Sequence, residues 1–280
     1  MINSNGTLVT SAEDTLFYHN RGLHYGDAVF ETIKVSAGKV LFWEDHYFRL
    51  MASMRIMRME IPMEFTLEWL EAEILKTIQA SEKATAYRVK LLVWRDWGGT
   101  YTPSHRTVSF AIAAKPHNNP FYLLNEAPYE VELFKDHYIN SGILSTIKSN
   151  NRAVNVLGSI YAEENEYQNC LLLNEHKQVV EALNGNLFWV SGYTIVTPPL
   201  TEGCLDGILR KQLMGIVNQL PDYILKEAPI SPFDLQKADE LWITNTMVGI
   251  QPVTKFRKKE YKSTVAKELL AKLNAKARLG

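Results

Sequence analysis

The order in which segment types follow one another constrains the fold of this 280-residue chain more than any single motif does. Ala28 to Val35, AVFETIKV, is rich in β-formers, is followed by the turn-like SAGK, and resumes as VLFW at Val40 to Trp43, which predicts a hairpin. EDHYFRLMASMRIMRM then sets Leu50, Met54 and Met57 at helical spacing, so a helix of about three to four turns is expected. A second helix, from an N-cap at Thr66 to about Ala80, precedes two strands, Tyr87 to Trp94 and Thr107 to Ala114. This first part reads as an α+β layer. KPHNNP, Lys115 to Pro120, breaks the periodicity with two prolines and two asparagines and is the best linker. Beyond it, short strands at Tyr129 to Phe134, Cys170 to Leu173, Leu187 to Val190, Tyr193 to Val196 and Leu241 to Thr244 alternate with helices. Those helices are expected at about Asn151 to Asn165, Asp206 to Gln219 and Thr264 to Lys276. The expected architecture is α+β / α/β: a small N-terminal α+β domain over 1–118, a linker over 119–126, and a larger, barrel-like mixed domain over 127–280.

Composition narrows the function classes. Thirty Lys+Arg against 31 Asp+Glu leave a formal net charge of -1, so no global field favours nucleic acid or an acidic membrane. No stretch approaches the uncharged length that a membrane span needs, and MINSNGTLVTSAED lacks a basic-then-apolar signal pattern. Two cysteines, Cys170 and Cys204, form no CxxC and no framework, which fits a reducing cytoplasm. The seven histidines never fall at HExxH spacing, so no metal site is expected. GxGxxG after a strand, GxxxxGK[ST] and GxSxG are all missing. Small molecules and further copies of the chain are the expected partners.

One lysine stands out. In GILSTIKSNNR, Gly142 to Arg152, an apolar and β-branched run reads as a buried strand that leads straight into Lys148. An ammonium is costly to bury unless paired or deprotonated, so such a lysine is either an edge residue reaching water or a reactive amine. Other stretches are equally bland when taken singly: Glu181 in VVEALNGNLFWV as an edge charge, Arg49 in HYFRL as a surface helix residue, Gly207 in LDGILR as a turn.

In order and wording, however, NRGLHYGDAVFETIKV, HYFRL, IKSNNR, LLLNEHKQVVEALNGNLFWV, TPPL, LDGILR and ADELWITNTMVGIQPV together resemble the class IV aminotransferase family. These are the fold-type IV pyridoxal-phosphate enzymes, which include branched-chain and D-amino-acid aminotransferases and aminodeoxychorismate lyase. The resemblance spans nearly the whole chain. It implies pyridoxal 5'-phosphate as cofactor, with Lys148 as the amine that binds it covalently and later serves as general base. It makes Glu181 the partner of the pyridine nitrogen, keeping that nitrogen protonated so that the ring accepts carbanion charge. Arg49 is implied to hold the phosphate by a charge-assisted contact. Gly207, Ile208 and Leu209 at a helix start, and the hydroxyl of Thr246, are implied to share that phosphate. The family's usual GITR is GILR here, so Leu209 offers only its backbone amide. Homodimers with the active site between two domains are the family's habit.

The cofactor residues are common to every member, so the substrate side has to choose the reaction. Branched-chain aminotransferases usually carry a tyrosine five positions after the lysine, where this chain has Ala153, and the RxH pair of D-amino-acid aminotransferases is missing after Arg95. KxxNR at Lys148 to Arg152, LFW after the glutamate motif, GI-aliphatic-RKQ at Gly207 to Gln212, and Lys90 followed by aliphatics and Arg95 resemble the lyase instead. Lys90 and Arg95, taken to lie on one strand face, are expected to pair with substrate carboxylates, and Tyr25 and Phe30 match positions that line the family's substrate pocket. Against the lyase, Gly98 and Gly99 are followed by Thr100 and Tyr101 rather than arginine, and Thr246 is more aminotransferase-like. The expected activity is 4-amino-4-deoxychorismate lyase of folate biosynthesis, with a branched-chain or D-amino-acid aminotransferase using 2-oxoglutarate as the alternative and a non-catalytic ligand-binding relative as the third reading.

Overall fold

The computed structural model describes residues 1–10 and 19–279 and divides them into two compact units, one of Met1–Phe121 with Ile147–Asn151, the other of Tyr122–Thr146 with Arg152–Gly280. The described residues form two sheets in a mixed α and β architecture, as the sequence predicts.

The first unit runs β1 (Ile2–Ser4), β2 (Thr7–Val9), α1 (Arg21–Tyr25), β3 (Ala28–Ser36), β4 (Lys39–Val40), α2 (Trp43–Ile56), α3 (Leu67–Gln79), β5 (Ala86–Arg95) and β6 (Val108–His117). Its antiparallel sheet has the order β2-β1-β6-β5-β3-β4. Strand alternation sends Val29, Ile33 and Val35 of β3 and Val89, Leu91 and Val93 of β5 to one face, where they pack with Leu50, Met54, Leu70 and Ile74 of α2 and α3. Phe30, Thr32, Lys90 and Leu92 take the opposite face and are only half-buried. The Thr66 hydroxyl caps α3 by accepting from the Trp69 amide at 3.2 Å.

Three local expectations are corrected. The second hairpin strand ends at Val40 rather than Trp43: the Leu41 amide still donates to Lys34, but Phe42 adopts a left-handed φ of 54° that turns the chain into α2. The strand expected to stop at Ala114 continues to His117, with Pro116 opposite Tyr87. β1 pairs only as far along β6 as Ala113, so Pro116 has no β1 strand beside it asking for an N–H. The apolar run before Lys148 is no buried strand: α4 (Ile143–Thr146) is a single helical turn whose Ile143 and Leu144 are 64% and 63% exposed. The hydroxyls of Ser145 and Thr146 donate back to the carbonyls of Gly142 and Ile143, a local alternative to a sheet ladder. Only after it does the chain extend. Ser149 bridges Val29, the Phe30 amide donates to Lys148 O at 2.8 Å and the Asn150 amide to Ala28 O at 3.0 Å, which makes Ile147–Asn151 part of the first unit.

The second unit continues with β7 (Glu130–Ile139), α4, α5 (Ala153–Glu164), β8 (Asn169–Asn174), β9 (Val179–Ala182), β10 (Gly185–Ser191), β11 (Thr194–Thr197), α6 (Ile208–Val217), β12 (Ile224–Glu227), β13 (Glu240–Asn245), β14 (Gly249–Pro252), β15 (Lys255–Phe256), β16 (Lys259–Glu260) and α7 (Thr264–Leu279). The strand path β12-β11-β10-β9-β8-β7-β15-β16 branches at β10, which also pairs with β13, and β13 with β14. β7 runs parallel to β8 and α5 makes the crossover between them. One face buries Val131, Leu133, Leu171, Leu187 and Ile243; the other buries Phe134, Cys170, Leu172 and Val180 with Ala162 of α5. No helix among the described residues is long and apolar enough to cross a membrane.

Candidate active site

In the first unit Lys148 is half-buried and its Nζ lies 4.7 Å from the centroid of the Phe30 ring. Lys90 reaches the same ring, its Nζ 4.8 Å from the centroid, so a second amine shares the aromatic platform. Burial, with the nearby charge of Arg88, pushes the Lys90 amine below its ordinary value. The strand pairing explains the placement: Phe30 stands opposite Leu92, Thr32 opposite Lys90, and the backbone of Lys148 is bonded to Phe30 itself.

Arg49 sits one helical turn after His46 on α2, and both close on Glu31 of β3. Arg49 Nε donates to Glu31 Oε1 at 2.8 Å and its Nη2 to Oε2, while His46 Nδ1 lies 2.7 Å from Oε2. Glu31 and His46 are 1% and 0% exposed. Burial alone would raise the Glu31 pKa, but the Arg49 charge and the His46 and Arg49 hydrogen bonds outweigh it and hold the carboxyl down at about 2. His46 is pushed down by burial, opposed by Glu31 and reinforced by the charges of Arg49 and Lys148. Its Nε2 is buried and has no hydrogen-bond partner among the described residues.

Arg95 does not join Lys90. The two are five residues apart on a strand whose side chains alternate, so they leave opposite faces, and the expectation of a shared face is wrong. Arg95 is 5% exposed and bonded to Asp27, by Nε to Oδ2 at 2.8 Å and by Nη2 to Oδ1 at 3.2 Å, with further donors on the carbonyls of Met57 and Arg58. Arg21 donates to the same Asp27 Oδ2 at 3.0 Å and to the carbonyls of Gly98 and Thr100. Tyr25 is exposed, stacks on the Arg21 guanidinium at 4.5 Å and lines a cleft of about 250 Å³ with Arg21, Asp27, Arg95, Tyr101 and Asn151.

In the second unit Glu181 of β9 is 4% exposed, stands opposite Asn186 of β10, and accepts the Leu205 amide at 2.9 Å through Oε2. Asn186 Nδ2 donates to Leu205 O at 2.8 Å, so the pair holds both the N–H and the C=O of Leu205 in the loop that leads to α6. Gly207 is the N-cap of that helix, and a Cβ there would lie 1.8 Å from Asn186 Oδ1, which only glycine avoids. Because glycine has no side chain, the amides of Ile208 and Leu209 open the helix without a side-chain cap. Thr246 lies in the turn between β13 and β14, its carbonyl accepting from Tyr122 Oη at 3.1 Å.

Each unit carries groups whose chemistry suits a phosphorylated aldehyde: an amine on an aromatic platform and a guanidinium in the first, a buried carboxylate and a helix start that no side chain caps in the second. The amino-transferase class IV family model matches residues 28–256. The chain belongs to this family. Class IV aminotransferase-family proteins are pyridoxal-phosphate-dependent enzymes, and pyridoxal 5'-phosphate is the cofactor of this chain. The chain is similar to an aminodeoxychorismate lyase of Vibrio harveyi, 27% identical over 238 residues that cover 84% of this chain and 85% of the relative. It is equally similar to a D-alanine aminotransferase of Listeria monocytogenes, 27% identical over 262 residues, 89% of this chain and 85% of the relative. Its fold matches that of a branched-chain aminotransferase from Thermoproteus uzoniensis solved with norvaline, with a TM-score of 0.87 at 23% identity over 97% of this chain and 92% of that one. The similar proteins thus carry the names of three different activities.

Sequence reasoning missed Glu31 and His46. The signal was present: in AVFETIKV, alternation places Glu31 on the face of Val29 and Ile33, and a carboxylate on an apolar face requires a partner. His46 and Arg49, three apart on the next helix, are such partners.

Proposed function

We propose that this class IV enzyme is a 4-amino-4-deoxychorismate lyase, which eliminates pyruvate from its substrate and leaves 4-aminobenzoate, a folate precursor. Lys90 carries the reading: its ammonium shares the Phe30 ring with Lys148, so a dicarboxylate substrate meets a fixed cation beside the reactive amine. Ala153, at the first residue of α5, leaves out the tyrosine of branched-chain aminotransferases and supports the same choice. Arg95 is not carried forward as a substrate ligand, because its donors serve Asp27 and two backbone carbonyls.

In this reading Lys148 Nζ would hold the cofactor in the resting enzyme, Glu181 would keep the pyridine nitrogen protonated, and Arg49, the helix start at Gly207 with the amides of Ile208 and Leu209, and the Thr246 hydroxyl would hold the phosphate; the Gly207 amide itself donates to Leu205 O at 2.9 Å. Bound there, pyridoxal 5'-phosphate supplies an aldehyde carbon that links to amines and a ring that accepts the electron pair left when a proton is removed. Lys148 Nζ would take the proton from the amine-bearing carbon of the substrate. The bond from the ring to the enolpyruvyl oxygen breaks, and the proton passes to the methylene carbon of the departing group, which leaves as pyruvate. Lys90 orients the substrate carboxylate, and Tyr25 and Phe30 line its ring. Aromatisation makes the step one-way. We place the enzyme in the cytoplasm as a homodimer; the exposed Val156, Leu157 and Ile160 on α5 supply an apolar stripe for a second copy.

The aminotransferase reading is favoured by Thr246 and by the Thr100 and Tyr101 that follow Gly98 and Gly99. The test is to assay the purified protein for pyruvate and 4-aminobenzoate beside a panel of amino donors with 2-oxoglutarate. Release of both products supports the lyase; transamination of branched-chain or D-amino donors without pyruvate ends it. Lys148→Ala lowers either activity by at least about 10³-fold, and a variant that retains it overturns the mechanism.

A further inference from the structure

A buried imidazole with one nitrogen bonded and the other bare is unusual, since buried polar atoms are nearly always partnered. Ionised Glu31 only accepts hydrogen bonds, so the proton of a neutral His46 ring is on Nδ1 and Nε2 is an unprotonated acceptor. Three charged groups bear on the ring: Glu31 from β3, Arg49 from α2, and Lys148 from the segment that pairs with β3. Glu31 and Arg49 cancel each other through a two-pronged contact. A phosphate dianion arriving at Arg49 therefore meets a guanidinium whose charge is already matched, and the negative charge it adds to this buried cluster is costly. Lys148 brings positive charge only while its amine is protonated. His46, on the same face of α2 as Arg49 and one turn before it, is the remaining group of the cluster able to change charge there.

We propose that His46 takes up a proton at Nε2 when the phosphate of the cofactor binds, becoming a cation that Glu31 holds from one side and that donates towards the phosphate from the other. This deepens the reading above and rests on its placement of the phosphate at Arg49. Glu31 then has two functions: it neutralises Arg49 while the site is without phosphate, and it supplies the counter-charge that lets His46 accept the proton. Cofactor binding weakens as pH rises above neutrality, by about tenfold per unit for one linked proton.

The experiment uses pyridoxamine 5'-phosphate, which forms no covalent link with Lys148 and whose phosphate, with a second pKa of about 6, is already a dianion at pH 8. Calorimetric titration at pH 8 in buffers of different ionisation enthalpy counts the protons taken up. Wild type is expected to take up about one more proton per site than His46→Gln. In wild-type protein the ¹⁵N resonance of His46 Nε2 is expected to move from the bare to the protonated position on binding, a readout that holds even if the variant fails to fold. Binding with no excess uptake over His46→Gln, or with an Nε2 resonance that stays bare, overturns the inference and leaves the placement of the phosphate standing. If Arg49→Gln binds the ligand as tightly as wild type, the placement itself falls and the inference falls with it.

Discussion

Two buried acidic residues of β3 and its approach, Asp27 and Glu31, are each held by two basic side chains, yet the clusters differ in how completely they are satisfied. At Asp27 both guanidiniums are also bonded to backbone carbonyls, Arg21 to Gly98 and Thr100 and Arg95 to Met57 and Arg58. That network ties α1, the end of α2 and the 96–105 loop together. At Glu31 the arginine meets the carboxylate with two donors, but His46 keeps a buried nitrogen with no partner among the described residues. A closed network contributes stability and position; an open one of similar composition is built to receive something. Both sit under the same sheet, so burial alone does not distinguish them.

The comparison breaks first at Asp27. Replacing it by alanine leaves two buried guanidiniums without their carboxylate and is expected to cost about 3–5 kcal/mol, read by urea denaturation. Whatever fraction stays folded is expected to bind pyridoxamine 5'-phosphate with wild-type affinity; a large affinity loss would show that this cluster too belongs to the cofactor site. Glu31→Gln comes next. A carboxyl held at about 2 rather than its ordinary 4.5 contributes about 3 kcal/mol above pH about 4.5, and that contribution is lost as pH falls towards 2. The variant is therefore expected to lose stability at neutral pH, to show a flatter acid limb in thermal melts from pH 5 to pH 2, and to lose the alkaline weakening of cofactor binding. An acid limb identical to wild type would show that Glu31 does not contribute to the acid-side stability.

Gly26→Ala is a smaller lever on the closed side. Gly26 has a left-handed φ of 62°, and a Cβ there would lie 2.2 Å from Asn151 Oδ1, so a loss of about 1–2 kcal/mol in melting experiments is expected. Lys90→Gln should be the mildest for the fold, within about 0.5 kcal/mol, because the side chain is half-buried on the open face. Its effect belongs in the kinetics instead: KM for a dianionic substrate should rise by about tenfold with a smaller change in kcat. An unchanged KM would detach Lys90 from substrate binding and weaken the lyase reading.

Much of the fold was legible because periodicity is a property of the segment itself. α2, α3 and α5 to α7 and the long strands β3, β5 and β6 lie where apolar spacing placed them, to within a few residues at their ends. The helical turn before Lys148 was not legible, since ILST carries β-branched residues and only the back-bonding of its hydroxyls reveals the turn. Lys148, Arg49 and Glu181 were recognised by motif, but their partners were not. The Glu31 contact joins residues 18 apart and the Asp27 contact residues 68 apart, and no local pattern encodes such distances. Lys90 and Arg95 failed for a simpler reason: an odd separation on a strand places side chains on opposite faces.

Ile147–Asn151 folds with the first unit although the residues on either side of it belong to the second, so the chain passes from one unit to the other three times. The unit boundary therefore does not correspond to a single cut in the gene. A fragment ending at Phe121 would encode the platform of Phe30 and Lys90 without the lysine that lies over it, and the remaining fragment would carry that lysine away from the strand that orders it. Recombination between relatives at this boundary would move the reactive amine together with Glu181 and separate it from Arg49. Any hybrid must then rebuild the contact between Lys148 and β3 from sequences that did not evolve together.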